Sequence, residues 1–340
     1  MTDLARLKNN RFVVLGRAGM DIYADPPGAK LDTVARFVAC LGGSSANIAV
    51  AISRHGGNAS LVTSVSDDAI GRFCLNELDR YGVSRAHVKQ VPGPLRTSLA
   101  IAESTFEGHQ CVLYRNGAAD FQMTVQDVEQ IDYGSFGGLI TTGTVFAEEP
   151  SRSAAFRALE LAANAGLPLI VDIDYRPHSW CSTEDATETL SRAGSLCDIV
   201  IGNDTEFDFM AGGADQGLEK ARTLARSTAA IAVYKMGENG SVTITGDNEF
   251  RTGVFDVPAL KPIGAGDGFM GGLLVGLAAG FPLEAAVVRG AACAAIVVSR
   301  VGCAPAMPDA KELEEFLAEH PIPRTSYADE LQDYPGPTAT

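Results

Sequence analysis

Short runs of β-branched and aliphatic residues alternate along this chain with longer stretches whose apolar positions recur at helical spacing. Strands are predicted at 12–16, 60–65, 139–142, 169–173, 198–201 and 231–235, with helices at 46–55, 68–80, 152–165 and 218–226 among them. Nearly all-apolar strands that alternate with helices predict a parallel sheet covered on both faces. After Lys235 the alternation lapses. Residues 241–245 and 250–255 read as short strands with no helix between them, hence an antiparallel edge, and helices at 266–279, 282–300 and 308–318 follow. Segments 18–40 and 95–116 carry strand pattern without a helix of their own. They are expected to pair as a small sheet off the main body, either a lid over an active site or an ordinary hairpin excursion. One α/β domain is expected over 1–320, and the Pro-rich, polar segment 321–340 is expected to run as an extended or disordered strap.

Composition narrows the function. The 340 residues are 46% apolar and 20% charged, which suits a sizeable core and excludes a disordered or collagen-like chain. Lys and Arg number 27 against 42 Asp and Glu, a net charge of −15. Such a surface repels phosphate backbones, so nucleic acid is not expected as a partner. A small anionic ligand would need a local cluster of cations, helix N-termini or metal. No apolar signal segment is visible near the start. The longest uncharged stretch, 268–283, has sixteen residues and five glycines, short of the ~20 a membrane span needs. It predicts a buried, closely packed helix. Cys40, Cys74, Cys111, Cys181, Cys197, Cys293 and Cys303 form neither CxxC nor zinc-ligand spacing. They read as small core residues in a reducing compartment, and a cytoplasmic protein with no membrane partner is expected.

In open parallel sheets ligands sit outside the carboxyl ends of the strands. Here those ends read GRAGMD (16–21), DIDYRP (172–177), GNDTE (202–206) and KMGENG (235–240), all polar, Gly-rich or both. The sharpest constellation is Gly264, Ala265, Gly266 and Asp267, which runs directly into a helix. Small residues let backbone N–H groups crowd around an oxyanion, and the helix start adds unpaired donors and a favourable dipole. Asp267 could take the proton of an attacking hydroxyl, and a carboxylate base beside an anion hole is what phosphoryl transfer to an alcohol requires. A capped, Gly-rich helix start is the plain structural alternative. A second helix opens at Gly42, Gly43 and Ser44, with Asn47 offering a donor and an acceptor for hydroxyls. A tight turn with an N-cap is its plain alternative.

Together, Gly-Gly-x-x-x-Asn near the start and Gly-Ala-Gly-Asp near the end resemble the paired motifs of the ribokinase-like (PfkB) carbohydrate kinases, and the resemblance extends over about residues 11–320. It implies a three-layer α/β sandwich with a mostly parallel central sheet and a small β lid, and phosphorylation of a sugar hydroxyl with ATP and Mg2+. The segments 171–177 with Trp180, 114–120 and 302–308, and Lys261, are similar to one branch of that family. That branch acts on the C6 hydroxyl of a 2-deoxy-5-keto aldonate, 5-dehydro-2-deoxy-D-gluconate, in inositol breakdown. Kinases of 2-keto-3-deoxygluconate or another PfkB sugar kinase are the alternative, and a non-catalytic sugar-binding relative is a different class of answer. Retention of Asp267 favours an enzyme.

Position by position, the resemblance makes Asp267 the base and Gly264, Ala265 and Gly266 the anion hole. It assigns sugar hydroxyls to Asp21, Gly42, Gly43 and Asn47, and places Asn203 and Glu206 at magnesium and phosphate water. Lys235, Gly237 and Gly240 fall beside the ATP phosphates and ribose, and Ala292, Ala295 and Ser299 on the adenine side. Asn203 and Glu206 also have the spacing of a helix cap, and both roles are compatible. A sugar acid needs a cationic grip. Arg115, at the lid, and Arg176, beside Asp174 at a strand end, are the arginines expected to supply it, with Arg17 a weaker candidate. Many relatives carry Asp-Thr-x before Gly-Ala-Gly-Asp, and in potassium-activated ones that Asp helps bind the cation. Here the segment is Lys261-Pro262-Ile263. The expectation is that the Lys261 ammonium replaces the cation by donating to carbonyls near 298–303, with no potassium requirement, or else that Lys261 points to solvent. A homodimer through the lid is also expected. Two rival motifs fail: Gly266–Gly271 spells GxGxxG without a preceding strand, and no Gly-Lys dipeptide exists for a Walker loop.

Overall fold

The computed structural model describes residues 3–106 and 108–327. Ten strands form the main sheet in the order Thr325–Tyr327, Asn248–Thr252, Ser241–Thr245, Ile231–Lys235, Ile199–Asn203, Leu169–Asp172, Gly138–Thr142, Arg11–Leu15, Asn58–Ser66 and Ser84–Val91. The seven from Ile231–Lys235 to Ser84–Val91 pair in parallel, and the remaining three add antiparallel.

Side-chain alternation on the central strands builds the layers. Phe12 and Val14 point into one core with the helices Ser44–Arg54 and Ala265–Ala278. Val13 and Leu15 point into the other, with Ser151–Asn164 and Thr183–Leu196. All four are fully buried, as a sheet covered on both faces demands. The uncharged stretch is the closely packed helix the sequence predicts. In it, a Cβ added at Gly272 would come 2.6 Å from Cys293 Sγ and 2.9 Å from the Arg289 carbonyl oxygen. Only glycine lets Ala265–Ala278 and Leu283–Val298 approach this closely. No helix among the described residues is long and apolar enough to cross a membrane.

The two helix-free segments do pair. Gly19–Ala24, Phe37–Gly42, Leu99–Ala102 and Cys111–Tyr114 form a separate four-stranded sheet. Glu103, nearly fully buried, braces its long excursion by accepting from Lys30 Nζ and the Leu31 N–H, each at 2.9 Å. Two expectations need correction. Cys111 and Cys181 are exposed, although the other five cysteines are buried, because Cys111 lies on a lid edge strand and Cys181 in a loop. The strap from Pro321 is anchored in part, since Thr325–Tyr327 pairs with Asn248–Thr252. Residues 328–340 of the expected strap lie outside the described residues.

Candidate active site

The site forms where the helix Ala265–Ala278 starts. Its N-cap, Gly264, has φ +87°, and a Cβ there would lie 2.9 Å from Cys303 Sγ, so glycine is required twice over. No side chain caps this helix, which leaves the first-turn N–H groups without a side-chain partner. Asp267, in that first turn, accepts from Asn47 Nδ2 at 2.9 Å. Asn47 belongs to the helix Ser44–Arg54, so the two Gly-rich segments, 220 residues apart, meet at one carboxylate. Burial first, then repulsion from Asp174 and Asp172, pushes the Asp267 pKa up to about 8.

Lys235 stands beside the helix start. A Cβ on Gly266 would come 3.0 Å from Lys235 Nζ, and that ammonium lies 3.8 Å from Asp172 Oδ1. Asp172 Oδ1 is buried without a hydrogen-bond partner. Nearby, Asn203 and Glu206 close a capping box: each backbone N–H donates to the other's side chain at 2.8 Å. Burial and the Asp172 charge push Glu206 up to about 7. Burial raises the Asp172 pKa as well, with Asp174 adding to it, and two buried carboxylates so raised are a place a divalent cation would relieve. Among the described residues there is no cluster of three or more metal-ligating side chains. That fits magnesium, which takes one or two carboxylates and completes its shell from phosphate and water.

On the lid side, Asp21 is buried, with Oδ1 unpartnered and Tyr23 Oη 3.5 Å from Oδ2. Burial raises its pKa, against the pull of Arg17 and Lys261. Gly42 lies against it so closely that a Cβ would overlap the carboxylate, and a Cβ on Gly43 would overlap the Arg17 carbonyl. Gly42→Ala should therefore cost about 1–3 kcal/mol of stability through overpacking against the Asp21 carboxylate, an effect that thermal melting measures.

Arg115 and Arg176 prove unequal. Arg115 is buried, its Nε and Nη2 committed to Asp120 and Nη2 also to the Thr144 carbonyl, so most of its fork serves the protein. Arg176 pairs with Asp174 at 2.9 Å, and its pKa is raised by Asp174 foremost, then by Glu206, Asp267 and Asp172. Asp174, at φ +36°, also accepts from Ser44 Oγ at 2.6 Å and Thr144 Oγ1 at 3.2 Å. Arg176 thus faces the acids around Asp267.

Three further expectations change. Lys261 does not reach solvent: it is fully buried, and its Nζ donates to the carbonyls of Ile263 at 2.5 Å and of Val297, adjacent to the expected 298–303, at 3.2 Å. Ala292 and Ala295 pack with Phe255, Ile296 and Leu313 and present almost no surface to a flat ring. Ser299, exposed, returns its hydroxyl to the Ile296 carbonyl. Gly237 and Gly240 both take positive φ after Lys235, and a Cβ on Gly240 would overlap the Thr252 carbonyl. Sequence reasoning missed Asp172, Ser44 and Thr144. Asp172 ends a strand in the DIDYRP segment, and that position was the available signal; the hydroxyls had none.

The chain matches the pfkB family carbohydrate kinase description over residues 9–310. It is 37% identical to a 5-dehydro-2-deoxygluconokinase of Photobacterium profundum over 311 residues, 90% of this chain and 94% of the relative. A 5-dehydro-2-deoxygluconokinase of Geobacillus kaustophilus is 33% identical over 314 residues, 91% and 94% of the two chains. Among solved structures, a double-mutant Vibrio cholerae fructokinase bound to fructose, ADP and potassium ion superposes with a TM-score of 0.79 at 25% identity, covering 90% of this chain and 98% of that one. A putative ribokinase II from E. coli in complex with ATP and Mg2+ shares the fold at a TM-score of 0.82 and 18% identity, covering 91% and 99%. With the family description matched over residues 9–310 and these relatives aligned over nine-tenths of the chain, this chain belongs to the pfkB family of carbohydrate kinases.

Proposed function

We propose that this carbohydrate kinase phosphorylates the C6 hydroxyl of 5-dehydro-2-deoxy-D-gluconate, with Asp267 as base. The observation that carries the chemistry is the Asp267 carboxylate, held by Asn47 beside the uncapped helix start at Gly264–Gly266. The acceptor rests on the two 5-dehydro-2-deoxygluconokinase relatives and on the arginines of the site. Asp267 takes the hydroxyl proton as the oxygen attacks. The N–H groups of the first turn and Lys235 hold negative charge that develops on the transferred group. ATP supplies the γ-phosphoryl; Glu206 and Asp172 would hold Mg2+, in part through water, and the metal would supply charge to offset the phosphates. Gly237 and Gly240 flank the phosphates, and Ser299 lies on the adenine side. Asp21 holds sugar hydroxyls, and the single kinase domain spans 1–320.

A coupled ADP-release assay across keto-deoxy aldonates, ribose, fructose and nucleosides tests the acceptor. Turnover of a neutral sugar in preference to any aldonate would overturn it. The raised pKa adds a second test. A base must be deprotonated, so kcat/KM should fall as pH drops below about 8, and Asp172→Asn, by removing a repelling charge, should move that acid limb to lower pH. A limb that stays in place in the variant would exclude the assignment to Asp267.

The same reading gives Lys261 the role of a monovalent cation. Its ammonium, enclosed between two carbonyls behind the anion hole, supports activity without potassium. The lid also carries exposed Phe37, Val38, Val112 and Tyr114 on its strands Phe37–Gly42 and Cys111–Tyr114. A second copy of the chain is the partner proposed for that face. Sedimentation should show a dimer that Tyr114→Glu converts to monomer.

A further inference from the structure

Lid and body meet at Ser98. The strand Leu99–Ala102 runs parallel to Gly19–Ala24, and the register puts Gly19 beside Ser98. It runs antiparallel to Cys111–Tyr114, and the Leu99–Tyr114 pair sets Arg115 opposite Ser98. Arg17 reaches the same point from the end of Arg11–Leu15, donating from Nη1 to Ser98 Oγ at 3.1 Å. Gly19 leaves it room, since a Cβ there would stand 3.0 Å from Arg17 Nη1. The Arg17 carbonyl is tied to the helix that carries Asn47 by accepting from the Ala46 N–H at 3.2 Å.

One guanidinium, that of Arg17, is therefore held by a serine, and the strand register sets a second arginine, Arg115, across from that serine. Asp120 takes two nitrogens of Arg115, yet its Nη1 is buried with nothing to donate to. Arg17 has no carboxylate within ion-pair distance among the described residues; its side-chain hydrogen bond goes to Ser98. The acid that feels its charge, Asp21, is itself driven towards the neutral form by burial. Burial foremost, and then the charge of Arg17, lowers the pKa of Arg115 against the pull of Asp120. A buried donor left unpaired, with a second guanidinium nearby that has no carboxylate of its own, is costly unless an anion joins them. Arg176 is in the opposite situation. Asp174, Glu206, Asp267 and Asp172 already surround it, and a further carboxylate there would be repelled.

We infer that Arg17 determines specificity for an acid substrate: together with Nη1 of Arg115 it grips the carboxylate at the end of the sugar acid remote from Asp267. This rests on the proposed keto-deoxy aldonate acceptor and adds the residue that selects it. The hydroxyl to be phosphorylated then lies at Asp267 and Asn47, with the chain of the substrate spanning from there to Ser98.

The experiment compares one keto-deoxy aldonate with its uncharged primary amide, in the full chain and in Arg17→Gln, Arg17→Lys and Ser98→Ala. The unmodified protein should prefer the acid. Arg17→Gln should lower the acid-to-amide ratio of kcat/KM by roughly 10²-fold, chiefly through KM, the worth of a closed charge-assisted pair. Arg17→Lys should fall between, because a point charge cannot fork onto a carboxylate. Ser98→Ala, which keeps the charge but frees its guanidinium, should raise KM for the acid more than for the amide. An unchanged ratio in Arg17→Gln and Arg17→Lys, with melting temperatures showing both folded, would overturn the role of Arg17. A wild-type protein indifferent to the carboxylate would instead overturn the acid acceptor itself, and that outcome is read before any variant is made.

Discussion

Asp267→Asn is expected to lower kcat about 10²–10⁴-fold, the usual worth of a positioned general base, while the protein still folds and binds ATP. The substitution is nearly isosteric, and an amide oxygen can still accept from Asn47 Nδ2, so the first turn of Ala265–Ala278 keeps its shape. What is lost is the ability to take a proton. The loss should fall on kcat rather than on the KM of either substrate, because the proton moves only as the transition state forms. The burial and repulsion that raise the Asp267 pKa cost stability at any pH above the ordinary carboxylate range, and the neutral amide removes that cost, so stability should hold or rise slightly. Pre-steady-state kinetics and melting curves measure the two effects separately. Wild-type turnover in this variant would exclude Asp267 as the base.

Lys261→Met should bring the second large effect. Lys261 is fully buried, and its ammonium bridges the Ile263 carbonyl, just before the anion hole, to the Val297 carbonyl near the end of Leu283–Val298. A cation at the C-terminal end of a helix is well placed against its dipole. Burial lowers the lysine pKa, and Cys303, Asp267, Cys40 and Asp21 act against that shift. Methionine matches the length but leaves both carbonyls unpaired, a cost of about 1–3 kcal/mol for each buried group. The loop 263–266 would lose its anchor, and kcat should fall on the order of 10²-fold, comparable with loss of an oxyanion-hole donor. Added potassium should partly restore Lys261→Asp and leave the unmodified enzyme unchanged. Strong potassium activation of the unmodified enzyme would refute the replacement.

Much of this architecture was legible because its rules are local. Central strands such as Arg11–Leu15 and Ile199–Asn203 are apolar on both faces, and that continuous run is visible in a single chain. The edge strand Ser84–Val91 was not foreseen. Its residues are mostly exposed or half-buried and polar, so no periodicity marks them. The short strand Thr325–Tyr327 exists only because Asn248–Thr252 offers it an edge. The helix start at Gly264–Asp267 was readable for the same local reason, since glycines and an acid at a helix start carry their meaning in their spacing.

Charge pairing was not readable in that way. Sequence reasoning set Arg115 and Arg176 above Arg17 as candidates for a carboxylate, without access to the partners each has in the fold. Arg115 is largely committed to Asp120, Arg176 to Asp174, and Arg17 to no acid. Lys261 offered solvent or a cation site with equal force until burial excluded solvent. By itself the sequence determined the parallel sheet, the lid segments and the Gly-Ala-Gly-Asp helix start, because periodicity and backbone freedom act between near neighbours. Only the tertiary structure decided which cations remain free for a ligand, because that depends on carboxylates and carbonyls brought together by the fold.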